Sequence, residues 1–298
     1  MNQKSLKEWF FATRPWSFTV SIIPVVASFL YLATVYGFAQ LNWVNFILAL
    51  VGMVLFHAAG NLISDWNDYR SGVDNEKSAV QNLVQGRFTP KEYIVLGCVL
   101  FVLATAVGIV LTFLSSAQLL IIGGIGALLT ALYAFFKGHA MGELDIFLNF
   151  AVLPMIGTSL VTYGAIDWSV LVLALPIGFV TVAVLFINNT RDMQSDKAAG
   201  ITTFSMKLGK RNSVRWYLCL IFLPLIYMVV SVALGWLSWT CLLALIGIVP
   251  AIKIFTAARQ FDKRGDEAIM TLDLATAQMQ TVFGGALSIG LLLSALIF

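Results

Sequence analysis

Apolar residues run along this chain in nine long blocks separated by polar stretches. None of the blocks alternates with the two-residue period of a membrane barrel strand, and each is long enough, at about 20 residues, to cross a bilayer as a helix. The pattern predicts helices near 16–36, 42–62, 93–113, 117–136, 144–164, 168–188, 213–234, 237–256 and 276–297. Open sheet edges find no hydrogen-bond partners in lipid. The expected fold is therefore all-α: a polytopic membrane protein of nine transmembrane helices around a central cavity. The chain reads as a single domain over 1–298, with pseudo-repeat halves near 14–140 and 141–256 and a ninth helix at 275–298.

Composition agrees with that pattern. The chain is 59% hydrophobic and 11% charged, with mean hydropathy +0.89, whereas soluble domains carry about 25% charge. The distribution of charge adds orientation. All 18 Lys and Arg residues fall on one side of the nine-span arrangement. The positive-inside rule then puts the N-terminus in the cytoplasm and the C-terminus outside. Met1 to Arg14 lack the apolar core of a signal peptide. Cys98, Cys219 and Cys241 sit in apolar blocks without metal-type spacing and read as packing residues. A net charge of +3 gives no reason to expect nucleic acid as a partner, and no protein partner is legible.

Two polar stretches break the apolar pattern in the same way. Asn61 to Asp74 contains Asn61, Asp65, Asp68 and Asp74, and Asn188 to Asp196 contains Asn188, Asp192 and Asp196. Both share Asn-x-x-x-Asp spacing. On a helix, Asn61, Asp65 and Asp68 fall within an arc of roughly 60°, and Asn188, Asp192 and Asp196 within roughly 80°. Both stretches lie at the inner, C-terminal ends of their spans, where the helix dipole is unfavourable for carboxylates. The acids need cations there, from Lys and Arg or from a metal. Paired carboxylates suit Mg²⁺, which bridges one or two of them to substrate phosphates. Interleaved bases, Arg70, Arg191 and Lys197 among them, suit an anionic ligand such as diphosphate. Acids at a membrane edge are costly and usually functional. An apolar molecule with a diphosphate head fits this combination. The inner loops after spans two and six, about 30 and 24 residues, are long for simple connections. Thr89-Pro90-Lys91-Glu92 predicts the start of the third span, with Thr89 as N-cap and Pro90 in the first turn.

These motifs resemble those of the intramembrane aromatic prenyltransferases, the UbiA superfamily. Asn61-x-x-x-Asp65-x-x-Asp68-x-x-x-Gly72-x-Asp74 is similar to the family's first motif, and Asn188-Asn-x-Arg-Asp192-x-x-x-Asp196, continuing to Leu208-Gly209, to its second. Within the superfamily the sequence looks most like the branch that prenylates 1,4-dihydroxy-2-naphthoate in menaquinone synthesis. Gly72-x-Asp74, Asn188-Asn-x-Arg-Asp192, Arg14-Pro15 and Gly142-Glu143 carry that likeness, while Ser64 and Ile201 stand where the branch usually has Asn and Lys. The resemblance implies an Mg²⁺-dependent enzyme of a bacterial cytoplasmic membrane, with its active site facing the cytoplasm. In it Asp65, Asp68, Asp192 and Asp196 hold the metal and are catalytic. Asn61, Asn188, Arg70, Lys137, Arg191 and Lys197 bind the diphosphate, and Arg14, Tyr133 and Asp74 serve the aromatic acceptor. A polyprenyl diphosphate would lose diphosphate to an allylic cation, the naphthoate ring would attack, and CO₂ would leave to give demethylmenaquinol. Prenylation of another acceptor such as 4-hydroxybenzoate is the alternative within the class. An ion-coupled transporter is the alternative outside it, although transport sites usually lie near the midplane rather than at one membrane edge. His57, one turn before Asn61, reads as a packed core histidine, with proton acceptance as the second possibility.

Overall fold

Each apolar block folds as a helix in the computed structural model, which describes residues 4–72, 82–198 and 200–298. Asp74 lies outside the described residues. Helix α1 (Leu6–Ala12) is a short surface segment with a capping box between Ser5 and Glu8. The spanning helices that follow are α2 (Thr19–Tyr36), α3 (Trp43–Ser71), α4 (Pro90–Leu114) and α5 (Gln118–Gly138). The fifth span is composite. It starts as α6 (Gly142–Phe147), passes through a π-helical turn at Leu148–Val152 and continues as α7 (Leu153–Tyr163). Helix α8 (Ala174–Arg191) follows, then two short inner helices, α9 (Met193–Ala198) and α10 (Phe204–Leu208). The last spans are α11 (Lys210–Ala233), a 3-10 segment Trp239–Gly247 leading into α12 (Ile248–Ala258), and, after the single turn α13 (Phe261–Arg264), α14 (Leu272–Ile297). Among the described residues nine helical segments are long and apolar enough to span a membrane, as the sequence predicts.

Burial is uneven around the bundle. The main core joins α2, α7, α8, α11, α12 and α14 through residues such as Phe29, Met155, Ile177, Phe186, Tyr217 and Phe283. Small residues let these helices approach closely. A Cβ on Gly284 of α14 would sit 2.5 Å from Ile23 of α2, and one on Gly178 of α8 would sit 2.5 Å from the Phe147 ring. By contrast, α5 contributes no buried residue at all. A cavity of about 500 Å³ opens between α3, α4, α5 and α7, lined mainly by apolar groups such as Met53, Phe56, Phe101, Ile122 and Leu153.

Two boundaries matter for the polar stretches. The second span, expected to end near residue 62, continues unbroken to Ser71, where Gly72 (φ 73°) terminates it in the left-handed conformation that glycine adopts freely. Asp65 and Asp68 thus belong to the last two turns of the helix. The expectation of one continuous helical face for Asn188, Asp192 and Asp196 does not hold. Helix α8 stops at Arg191, Asp192 turns the chain, and Asp196 belongs to α9. Thr89 and Pro90 begin α4 as expected, with a full capping box to Glu92.

Candidate active site

The first half of the site is built around Asp65, which is 1% exposed. Arg14 forms an ion pair with its Oδ1. Arg14 has φ 58° and ψ 58°, a conformation that costs a non-glycine residue about 1 kcal/mol or more. Contacts to the neighbouring backbone hold it. Asn61 Nδ2 donates to the Thr13 carbonyl and to Ser17 Oγ, both at 3.0 Å, and Ser17 Oγ donates to the Arg14 carbonyl at 2.8 Å. Since the Ser17 proton is used there, His57 Nε2, 3.2 Å away, is the donor to Ser17 Oγ. Ser21 Oγ, at 2.7 Å, then donates to His57 Nδ1. His57 is therefore a neutral, fully engaged histidine that locks α2 to α3. This is the packed role read from the sequence, with the added function of holding the Arg14 turn.

The second half is built around Asp196, 6% exposed, which accepts from Lys137 Nζ at 2.9 Å. Asp192 is more open, its side chain 43% exposed, and Arg191 grips both its oxygens at 2.8 and 2.9 Å while also reaching Asp273 at 3.0 Å. A backbone bridge between His139 and Thr202 ties the α5–α6 connection to the α9–α10 connection, which keeps Lys137 beside Asp196. Helix α6 completes this side. Glu143 Oε1 accepts from Asn189 Nδ2 at 3.0 Å, and Asp145 is 3% exposed.

Helix α5 adds two groups to this side, Tyr133 and Lys137. Tyr133, one turn before Lys137, lies within electrostatic reach of Asp68 from the first stretch and of Glu143, Asp145 and Asp196 from the second side. Bases meet acids in both halves: Arg14 on Asp65, Lys137 on Asp196 and Arg191 on Asp192. Such pairs neutralise the acids and place cations where an anion can exchange for the carboxylate partner. Arg70 and Lys197 are not brought into this cluster. Arg70 is exposed and stacks over the Trp66 ring at 4.8 Å, and Lys197 is exposed and forms no ion pair among the described residues.

No three His, Cys, Asp or Glu side chains converge among the described residues tightly enough to enclose a metal unaided. The donor set still fits Mg²⁺, which takes one or two carboxylates and completes its shell with waters and phosphate oxygens. Asp196 Oδ2 and Asn188 Oδ1 are buried hard oxygens with no hydrogen-bond partner among the described residues. Sequence reasoning did not single out Asn189, Asp145 or Asp273. Asn189 is masked by its neighbour in the Asn188-Asn189 pair, and Asp145 and Asp273 look in isolation like ordinary acids in the first turn of a helix.

The model of the UbiA prenyltransferase family matches residues 18–280. The protein called UbiA prenyltransferase domain-containing protein 1 is 32% identical in Xenopus tropicalis, covering 84% of this chain and 72% of that protein. The Homo sapiens counterpart is 30% identical, covering 95% and 82%. Among solved structures, a UbiA homolog from Aeropyrum pernix K1 superposes with TM-score 0.68 at 16% identity, covering 91% of this chain and 97% of that one. A UbiA homolog from Archaeoglobus fulgidus bound to GPP and Mg²⁺ gives 0.59 at 13% identity, covering 94% and 99%. At those identities the structures speak for the fold.

Proposed function

The chain belongs to the UbiA prenyltransferase family, and from that premise we propose that it transfers a polyprenyl group from polyprenyl diphosphate to 1,4-dihydroxy-2-naphthoate, with loss of diphosphate and CO₂. The observation that carries this reading is that each polar stretch buries an aspartate against a base, Asp65 with Arg14 and Asp196 with Lys137. A diphosphate spanning the two stretches meets Lys137 and Arg191 as it gains charge. Asp65 and Asp68 from one side, and Asp192 and Asp196 with Asn188 from the other, are the residues that would hold Mg²⁺. The chemistry supplied by bound Mg²⁺ is Lewis-acid stabilisation of the negative charge on the departing diphosphate. Arg14, Tyr133 and Asp74 serve the acceptor, and Arg70 and Lys197 add to the positive field from the surface.

The apolar cavity between α3, α4, α5 and α7 suits the prenyl tail, and an apolar lining of this kind would keep water from an allylic cation. The naphthoate assignment, and with it a place in menaquinone synthesis, rests on Gly72-x-Asp74, Asn188-Asn-x-Arg-Asp192 and Gly142-Glu143. The one-sided basic residues support a site facing the cytoplasm of a bacterial membrane. The test is release of diphosphate from labelled polyprenyl diphosphate by membranes holding the protein, with 1,4-dihydroxy-2-naphthoate, 4-hydroxybenzoate or neither. Mg²⁺-dependent release with the naphthoate is the expected result. Release with 4-hydroxybenzoate alone would replace the acceptor, and none with either would return the transporter reading.

A further inference from the structure

Among the described residues Asp145 is an acid without an ion-pair partner. It sits on α6, 3% exposed, and its Oδ1 has no hydrogen-bond partner among the described residues. Its Oδ2 has one long contact, 3.4 Å, to the Asn149 amide a turn further on. Its neighbours in sequence and space are already engaged: Glu143 with Asn189, and Lys137 with Asp196. A carboxylate in this setting is costly unless something donates to it.

Its surroundings indicate what that donor is. Asp145 is one of the acids whose charge acts on the Tyr133 hydroxyl of α5, together with Glu143, Asp196 and Asp68. Asn149 lines the apolar cavity between α3, α4, α5 and α7, next to Phe150. The π-helical turn Leu148–Val152 begins at this point, and such turns re-aim side chains at functional sites. The pair therefore stands at the edge of the apolar cavity, with Asn149 in its lining and Asp145 one turn away on the side of Glu143. A second cation would find only one carboxylate and one amide here, too few hard oxygens for a stable site. A hydroxyl on an apolar ring matches both sides of that boundary: the hydroxyl donates to Asp145, and the ring rests against the cavity mouth.

The geometry points to Asp145, oriented by Asn149, as the acceptor of a hydrogen bond from a ring hydroxyl of the aromatic acceptor, which makes Asp145 a specificity-determining residue. This rests on the transferase reading above. The experiment compares the acceptor that the full-length protein prenylates with its mono-methyl ethers, which keep the electron donation of the oxygen but cannot donate a hydrogen bond. Wild type is expected to favour the free hydroxyl at one ring position by roughly 10- to 100-fold in kcat/KM, the range for a hydrogen bond to a charged group. Asp145→Leu, close in shape and free of buried polar atoms, is expected to bring that ratio near one. Asp145→Asn, which keeps an acceptor oxygen, should retain part of it. Affinity for Mg²⁺ with a non-hydrolysable prenyl diphosphate analogue should be the same in all three. An unchanged hydroxyl preference in Asp145→Leu overturns the assignment and leaves the transferase reading intact. A loss of analogue affinity equal to the loss of turnover overturns it too, since Asp145 would then serve the diphosphate side. A wild type that prenylates no hydroxyarene defeats both.

Discussion

At the end of α3 the helix runs on through Asn61, Asp65 and Asp68, whereas at the end of α8 it stops at Asp192 and restarts as α9. The Asn-x-x-x-Asp spacing is the same in both, and the use made of it differs. Asn61 is engaged with protein, donating to the Thr13 carbonyl and Ser17, and so fixes the strained Arg14 turn. Asn188 keeps a buried oxygen without a partner among the described residues, and the bracing role passes to Asn189. Both stretches carry paired cations, but the first is one continuous helix and the second is jointed, with Asp196 Oδ2 and Asn188 Oδ1 left as buried acceptor oxygens without a partner among the described residues. A repeated motif thus serves two different local structures.

The comparison can be broken at several points, in order of expected effect. Removing divalent cations with a chelator should abolish prenyl transfer from both halves at once, and added Mg²⁺ should restore it, as followed by diphosphate release. Asp65→Ala and Asp192→Ala should each lower kcat by about 10²–10³-fold, the range for lost stabilisation of developing charge, while the purified protein keeps its gel-filtration profile. A near-normal rate in either variant removes that residue from the metal assignment. Lys137→Ala should cost about 10- to 100-fold in kcat/KM for the prenyl diphosphate, with partial recovery in Lys137→Arg. The two asparagines then separate the halves. Asn61→Ala should destabilise the protein by about 1–2 kcal/mol in a thermal melt, because it abandons the Thr13 carbonyl beside a left-handed arginine. Asn188→Ala should change stability by less than about 0.5 kcal/mol and instead raise the Mg²⁺ concentration needed for half-maximal rate. Arg70→Ala and Lys197→Ala should have the smallest effects, about threefold or less on KM, fading as salt screens exposed charge.

The parts of this molecule that depend on nearby residues were readable from the chain. The nine spans follow from apolar block length, and the start of α4 follows from Thr89, Pro90 and Glu92, which satisfy each other within one turn. The end of α3 was placed too early because an apolar run stops at the first acids, although the helix itself persists until Gly72. The break at Asp192 was hidden for a different reason. Arg191 folds back on Asp192 and reaches across to Asp273, while Asp196 is drawn to Lys137, 59 positions away in sequence. Those are tertiary pairings, and spacing within one stretch carries no information about them. The same holds for Arg14 with Asp65 and for the uncompensated state of Asp145, which is visible only when every neighbour has been assigned a partner.

Helix α5 carries Tyr133 and Lys137, yet it has no buried residue and, at 21 residues, is the shortest of the nine spans. Its outer surface exposes apolar side chains such as Leu120, Ile121, Leu128 and Phe135, which suit contact with hydrocarbon chains. The depth and tilt of these two side chains are therefore balanced partly against bilayer thickness, since a short span adjusts to mismatch by moving. The lipid around this protein is, in that sense, one wall of the reaction chamber, and exchanging it for a thicker or thinner bilayer acts on the chemistry through a single helix.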